Sequence, residues 1–183
     1  MLGAGRSSSA LIDYLLDHAE AEQWQIWVGD VSLDAALEKI GSRPRGKAIQ
    51  FNLDDEQAAI GHIAASDAVI SLVPPHLHAK VAVLCVKAGK HLFTASYVSS
   101  EMQALDAEAK KRGVLLLNEC GLDPGIDHMS AMQLIDRIKK EGGELTSFES
   151  FTGGLIAPTT DPENPWRYKF TWNPRNVVMA GQG

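Results

Sequence analysis

The chain has 183 residues, with 17 Lys and Arg against 23 Asp and Glu, and a formal net charge of −6. Hydrophobic residues make up 45% and charged residues 22%, which excludes a disordered tail, a collagen and a disulfide scaffold. The acidic balance predicts no nucleic-acid partner. Two cysteines, no secretion sequence and no apolar run of membrane-spanning length predict a soluble cytoplasmic protein without membrane contact.

Short apolar segments alternate along the chain with longer amphipathic ones. Helical spacing and end residues predict helices at 11–21, 33–40, 56–64, 77–88 and 99–112. Apolar runs predict strands at 24–28, 48–53, 68–73, 91–95 and 114–118. Strands that are apolar on both faces and separated by helices are typical of a parallel sheet covered on both sides. The prediction is an α/β fold with a doubly wound parallel sheet.

The pattern changes after Asn118. The later segments are a turn-rich stretch at 121–125, an amphipathic helix at 126–141, an alternating strand-like segment at 144–152, and an aromatic and basic segment at 166–172. We therefore predict a dinucleotide-binding domain over residues 1–129 and the start of an α+β substrate domain over residues 130–183.

A glycine-rich turn precedes the first predicted helix. Gly3 and Gly5 stand where a Rossmann-type turn needs a tight bend and a close approach of backbone to pyrophosphate. Ser8 is a small residue at the position of the third glycine. Helix amides and the hydroxyls of Ser7 and Ser8 would hold phosphate. The alternative interpretation is a flexible glycine-rich turn that binds no ligand.

Asp30 follows the next predicted strand, where an acidic residue accepts the adenosine ribose hydroxyls. A carboxylate there repels a 2′-phosphate, so Asp30 favours NAD over NADP. The alternative is that Asp30 only caps the following helix.

Ligands of open α/β sheets lie beyond the carboxyl ends of the strands. The strand ends expected at that crevice are Asp30, Asp54, Val73 with Pro74, Ser96 with Tyr97, and residues 119–125, which include Asp123. Ordinary packing explains Tyr97 equally well, and ordinary turn chemistry explains Asp123. His76, His78, Asp127 and His128 lack further partners at metal-ligand spacing, so we predict no metal site.

Several segments resemble the saccharopine dehydrogenase family, closest to its glutamate-forming branch. They are residues 71–74, 90–99 and 118–128, the last reading Asn-Glu-Cys-Gly-Leu-Asp-Pro-Gly-Ile-Asp-His, with further matches at 151–158 and 164–172. The resemblance implies an oxidoreductase of lysine metabolism, usually a homodimer. Such an enzyme interconverts saccharopine with glutamate and 2-aminoadipate 6-semialdehyde, by hydride transfer to or from NAD or NADP.

The resemblance also implies roles for individual residues. Asp123 would orient the substrate amine, and Tyr97 would shape the pocket or shuttle a proton. Ser96 and Trp172 would join them around saccharopine. The residues implied to hold the dinucleotide are Gly3, Gly5, Arg6, Ser7, Ser8, Asp30, Asp54, Val73, Pro74, Leu122, Pro124 and Thr152. The branch often prefers NADP, in conflict with Asp30.

The sequence departs from the family pattern at both ends. Only Met1 and Leu2 precede Gly3, which predicts a first strand that is truncated or lost. Family members also run far beyond Gly183, so the resemblance implies a fragment without the arginines that clamp substrate carboxylates. Two alternatives stay open: a sister enzyme resembling carboxynorspermidine dehydrogenase, and a non-catalytic NAD-binding module.

Overall fold

The computed structural model describes residues 1–151, 156 and 159–168. Its helices are α1 (Ser9–His18), α2 (Leu33–Ile40), α3 (Glu56–Ala64), α4 (His78–Ala88), α5 (Ser100–Gln103), α6 (Asp106–Arg112) and α7 (Ile126–Lys140). Its strands are β1 (Ile26–Asp30), β2 (Gly46–Gln50), β3 (Ala68–Ser71), β4 (His91–Thr94) and β5 (Leu116–Leu117). The chain divides into two compact units, Met1–Leu134 and Ile135–Gly183. Within the described residues, no helix is long and apolar enough to cross a membrane.

The strands of the first unit form a parallel sheet whose two halves meet at Leu2. β1 pairs with β2, and β4 pairs with both β3 and β5, all in parallel. Leu2 bridges Gly29 on one side and Ser71 on the other. The spatial order is therefore β2, β1, Leu2, β3, β4, β5. This is the Rossmann order with its switch point at Leu2, and the predicted fold class is confirmed.

The first strand is short but present. The Leu2 N–H donates to Ile70 O, and the Leu2 carbonyl accepts from the Leu72 N–H, both at 2.8 Å. On the other side, Gly29 N–H donates to Met1 O at 2.8 Å, and Gly3 N–H donates to Gly29 O at the same distance. Two residues before the glycine turn are thus enough to join the two halves of the sheet, and the strand is not lost.

Apolar side chains cover both faces of this sheet. Because successive side chains of a strand point to opposite faces, neighbours such as Ala48 and Ile49 enter different cores. One core joins α1 and α2 to the sheet and contains Ile12, Leu16, Val28, Ala36 and Ile40. The other contains side chains of α3 and α4, with Leu2, Ile63, Val69, Val81 and Leu92 among its members. Such two-sided burial explains the continuous apolar runs of the strands.

Several predicted elements differ from the structure in their bounds or their type. The helix predicted over residues 99–112 is two short helices, α5 and α6, because the chain turns at Ala104 and Leu105 between them. β1 ends two residues later than predicted, whereas β2 to β5 end earlier, and β5 has only two residues. Residues 144–151, predicted as an antiparallel strand, form no regular element among the described residues, since no neighbouring strand is paired with them there.

Helix α3 begins with a side-chain cap whose removal has a measurable cost. The Asp55 carboxylate accepts the Ala58 N–H at 3.0 Å. We expect Asp55→Ala to lower the free energy of unfolding by about 1 kcal/mol, because one helix N–H loses its partner. Urea denaturation followed by circular dichroism measures this. Asp54→Ala removes the same charge one residue earlier without touching the cap, and an equal loss in that variant would contradict the capping account.

Candidate active site

The glycine turn lies at the switch point of the sheet, directly after Leu2. Gly3 has a φ of +99°, and a Cβ built on it would lie 2.7 Å from the carbonyl oxygen of Leu72. A Cβ built on Gly5 would meet no atom within 4 Å. Gly3 is therefore required by the backbone packing. At Gly5 the backbone borders open space at the start of a helical turn, which fits a bound pyrophosphate.

The serines of the turn have different environments. Ser7 and Arg6 are exposed. Ser8 is fully buried, and its hydroxyl donates to Gly5 O at 2.7 Å. The Ser8 hydroxyl therefore stabilises the turn from inside. The prediction that the Ser8 hydroxyl holds phosphate is therefore wrong, whereas Arg6 and Ser7 are exposed and stay candidates for that contact.

Asp30 is tied to the glycine turn. Its Oδ2 accepts the Ala4 N–H at 2.8 Å, and its Oδ1 accepts the Ser32 N–H at 3.0 Å. The side chain that caps α2 is that of Ser32, which accepts the Ala35 N–H at 3.2 Å. Asp30 is thus not the cap. Each carboxylate oxygen has more than one acceptor site, so ribose hydroxyls fit beside the bonds already made.

The other residues that were predicted to hold the dinucleotide follow other strands at the same edge. Asp54 is exposed in the turn after β2, and its N–H donates to Asn52 Oδ1 at 2.9 Å. Val73 is half-buried after β3, and Pro74 is exposed before a single 3-10 turn at Pro75–Leu77. Because all strands of the sheet are parallel, their carboxyl ends share one edge.

The structure brings Tyr97 and Asp123 into contact across 26 residues of sequence. The Tyr97 hydroxyl donates to Asp123 Oδ1 at 3.1 Å, and both side chains are exposed. Glu119 fastens the two loops that carry them. Its N–H donates to Ser96 O at 3.1 Å, and its Oε1 accepts the Val98 N–H at 3.2 Å. Glu119 belongs to the stretch 119–125 that was expected at the crevice, but no local pattern predicts that it joins the two loops.

The hydrogen bond fixes the protonation of Tyr97. The bond to Asp123 raises the pKa of Tyr97, and burial and the charges of Asp127 and Glu119 add to that shift. The phenol therefore keeps its proton at neutral pH. Tyr97 is thus the hydrogen-bond donor to Asp123.

Two acidic residues and a histidine cluster in the adjacent turn. Ligand atoms of Asp123, Asp127 and His128 lie within 4.8 Å of one another. Asp127 Oδ1 accepts the Gly125 N–H at 3.0 Å and contacts His128 Nδ1 at 2.7 Å. Burial opposes, but hydrogen bonds from His128 and Gly125 outweigh it and lower the pKa of Asp127. These hydrogen bonds hold the turn at 121–128 together.

Of the remaining predicted residues, Leu122 is exposed and Pro124 is buried in the same turn as Asp123. Thr152 and Trp172 lie outside the described residues, so their roles stay predictions.

A buried polar cluster beneath the crevice was not predicted. His78, the first residue of α4, is 5% exposed, and its Nδ1 lies 2.9 Å from Ser71 Oγ and 3.2 Å from Thr94 Oγ1. Burial, and secondarily the nearby His76, lower the pKa of His78. The imidazole is therefore neutral. The local sequence around His78 does not predict this contact, because the partners Ser71 and Thr94 stand at the ends of two different strands.

The lowered pKa of His78 has a consequence for stability. The unfolded chain binds a proton on this histidine near pH 6.5, whereas the folded chain resists protonation. We expect the His78 contribution to be intact above pH 6.5 and to be lost progressively as the pH falls from 6.5 toward the lower folded pKa. Urea denaturation across this range should show a flatter pH dependence for His78→Asn than for the wild type, and equal slopes would contradict it.

The comparisons with known proteins agree over both parts of the chain. A family model described as Saccharopine dehydrogenase NADP binding domain matches residues 1–117. A second, described as Saccharopine dehydrogenase C-terminal domain, matches residues 121–183. Together they match the segments whose motifs carried the resemblance.

Individual relatives match nearly the whole chain. Saccharopine dehydrogenase (NADP(+), L-glutamate-forming) of Schizosaccharomyces pombe is 39% identical over 98% of this chain and 39% of that protein. Alpha-aminoadipic semialdehyde synthase of Arabidopsis thaliana is 36% identical over 100% of this chain and 19% of that protein. The apo structure of saccharopine dehydrogenase (L-Glu forming) from Saccharomyces cerevisiae matches with a TM-score of 0.86 and 37% identity, over 98% of this chain and 39% of that chain. The chain spans less than half the length of these relatives.

Proposed function

Because the chain belongs to the saccharopine dehydrogenase family, we propose that it supplies the dinucleotide-binding part of an oxidoreductase that interconverts saccharopine with glutamate and 2-aminoadipate 6-semialdehyde. The observation that carries this proposal is the contact of Tyr97 with Asp123 at the sheet edge that also bears the glycine turn. The sister-enzyme alternative is not favoured, since the relatives named above are saccharopine dehydrogenases and aminoadipic semialdehyde synthases.

The residues of the switch point fit a nicotinamide dinucleotide, which would supply the hydride chemistry when bound. Gly5, Arg6 and Ser7 would receive the pyrophosphate, because their amides and side chains border open space. Asp30 would accept ribose hydroxyls, and Asp54 would lie beside the adenine. Val73 and Pro74, which follow β3, would contact the central part of the dinucleotide. We propose that residues 1–129 form this domain and residues 130–183 begin the substrate domain.

On the substrate side, oxidation removes a hydride from the carbon beside the secondary amine and a proton from its nitrogen, leaving an imine that water then splits into an amine and an aldehyde. Asp123 would accept a hydrogen bond from the amine and orient it. The protonated Tyr97 hydroxyl would hold the Asp123 carboxylate in place. Ser96 would contact saccharopine from the neighbouring loop.

The test of the proposal is dinucleotide reduction by this chain in the presence of saccharopine, preceded by fluorescence titration with NADH and NADPH. Asp123→Asn should lower turnover at least about tenfold, since the carboxylate interaction with the amine is charge-assisted. Asp67→Asn removes an equal charge before β3, at the opposite edge of the sheet, and should leave turnover unchanged. Failure to bind either dinucleotide would overturn the proposal, and binding without turnover would favour the non-catalytic module.

The preference between NAD and NADP rests on Asp30, although the relatives' names specify NADP. We expect Asp30→Asn to shift the ratio of NADPH to NADH affinity about tenfold toward NADPH, because a charge that repels the 2′-phosphate is removed. The ratio cancels any common loss from the weakened bond to Ala4. Asp34→Asn, a charge loss in the first turn of α2, should not move the ratio. An unchanged ratio in Asp30→Asn would exclude this role.

We further propose a cytoplasmic location and a homodimeric assembly for the complete protein. Cys85 is buried and Cys120 exposed, both as free thiols, which supports a reducing compartment such as the cytoplasm. Burial raises the pKa of the Cys85 thiol to about 12, so it is unreactive there. The family resemblance supports a homodimer of the complete protein, and light scattering would measure its mass.

A further inference from the structure

Three buried polar side chains meet at the end of the central strands. Ser71 is the last residue of β3, Thr94 is the last residue of β4, and the two are register partners in the parallel ladder. Both are almost fully buried, as is His78 between them. Buried polar groups are costly unless they bond to one another. Because these three buried side chains bond to one another, we look for the structural role that they have at this position.

The imidazole contacts both hydroxyls. His78 Nδ1 lies 2.9 Å from Ser71 Oγ and 3.2 Å from Thr94 Oγ1, and Nε2 lies 3.3 Å from Thr94 Oγ1. A neutral imidazole offers one donor and one acceptor, and each hydroxyl can serve as either. The side chain thus connects the ends of two neighbouring strands from below the crevice.

The loops that follow β3 and β4 lie on different parts of the proposed site, one at the dinucleotide and one at the substrate. After Ser71, the Leu72 N–H bonds to Leu2 O, and the Leu72 carbonyl packs against Gly3 of the dinucleotide turn. After Thr94, the Thr94 hydroxyl accepts the Ser96 N–H at 3.3 Å. The first loop borders the dinucleotide, and the second leads to the substrate residues.

We propose that His78 is a positioning residue, which fixes the dinucleotide loop after β3 and the substrate loop after β4 relative to each other by bonding both Ser71 and Thr94. The proposal rests on the proposed function for its consequence in catalysis. Its structural content, the coupling of two loops through one side chain, stands on the contacts alone. His78 touches neither substrate nor dinucleotide in this role.

The test compares His78→Asn with His78→Leu in the intact chain. Asparagine and leucine have nearly the same shape, but only the amide can replace the Nδ1 bonds to the two hydroxyls. We expect hydrogen exchange at the Leu72 and Ser96 amides, measured by NMR without ligand, to be about tenfold faster in His78→Leu than in His78→Asn. Val81→Ala, a buried change in α4 outside the cluster, calibrates the effect of global stability on the same amides.

Equal exchange in the two His78 variants, at matched global stability, would overturn the proposal. Acceleration at only one of the two amides would also overturn it, because His78 would then hold one loop without coupling it to the other. Titration with NADH provides the functional arm, with affinity about tenfold weaker in His78→Leu than in His78→Asn. Absence of NADH and NADPH binding in the wild type overturns the proposed function, and the exchange comparison then decides on His78 by itself.

Discussion

Gly3→Ala should unfold the first unit or lower its free energy of unfolding by about 3 kcal/mol. Two costs combine. The φ of +99° is one that side chains rarely adopt, and the new Cβ would lie 2.7 Å from the Leu72 carbonyl oxygen, which is backbone and cannot rotate away. To remove this clash the backbone of Leu72 would have to move, and its N–H would then lose the hydrogen bond to Leu2 O. Urea denaturation followed by circular dichroism measures the loss.

A matched variant separates the two costs. Gly41 also has a positive φ, of +61°, but a Cβ there meets no atom within 4 Å. Gly41→Ala should therefore show only the conformational cost, about 1 kcal/mol. If Gly3→Ala is no less stable than Gly41→Ala, the close approach of Gly3 to Leu72 is not a real constraint on this fold.

Gly5→Val should leave the fold intact and weaken dinucleotide binding about a hundredfold. Gly5 has a φ of −71°, which valine adopts readily, and its Cβ would enter open space. That space is where the proposed pyrophosphate lies against the backbone amides, so a branched side chain would displace it. The measurement is a fluorescence titration with NADH and NADPH, beside the thermal midpoint of the free protein.

Gly61→Ala serves as the control for this variant, because Gly61 lies in α3 and its Cβ would also meet no atom within 4 Å. It should bind dinucleotide as the wild type does. Wild-type affinity in Gly5→Val would place the pyrophosphate elsewhere, whereas a collapse of the thermal midpoint would show that Gly5 is needed for folding and contradict the assignment.

The sequence predicted the architecture well because local patterns determine it. Apolar segments such as 68–73 and helix ends such as Gly89 specify the alternation of strands and helices without long-range information. The helices at 33–40 and 56–64 begin and end where they were predicted. The first strand was one exception. It is too short to be recognised from an apolar run, and the hydrogen bonds of Leu2 to Ile70 and Leu72, with those of Met1 and Gly3 to Gly29, show that it exists.

The site was predictable in its parts and not in its connections. Asp123 and Tyr97 followed from motifs, but a contact across a sequence separation of 26 depends on how β4 and β5 end beside each other. The buried side of the site had no local pattern at all. Ser8 resembles a phosphate ligand in sequence, yet its hydroxyl is turned inward to Gly5, and His78 resembles a helix-start residue although it joins two strands.

The junction at Leu2 has a consequence for how the protein resists unfolding in a cell. Among the described residues, the backbone hydrogen bonds between the two halves of the sheet run through residues 1–3: Leu2 bonds to Ile70 and Leu72 on one side, and Met1 and Gly3 bond to Gly29 on the other. A dinucleotide in the proposed site would lie across that seam, with one nucleoside on each half. At a hundred times its dissociation constant, such a ligand adds about 2.7 kcal/mol of stability. The lifetime of this protein would then follow the nicotinamide supply, with proteolysis fastest when the dinucleotide pool falls.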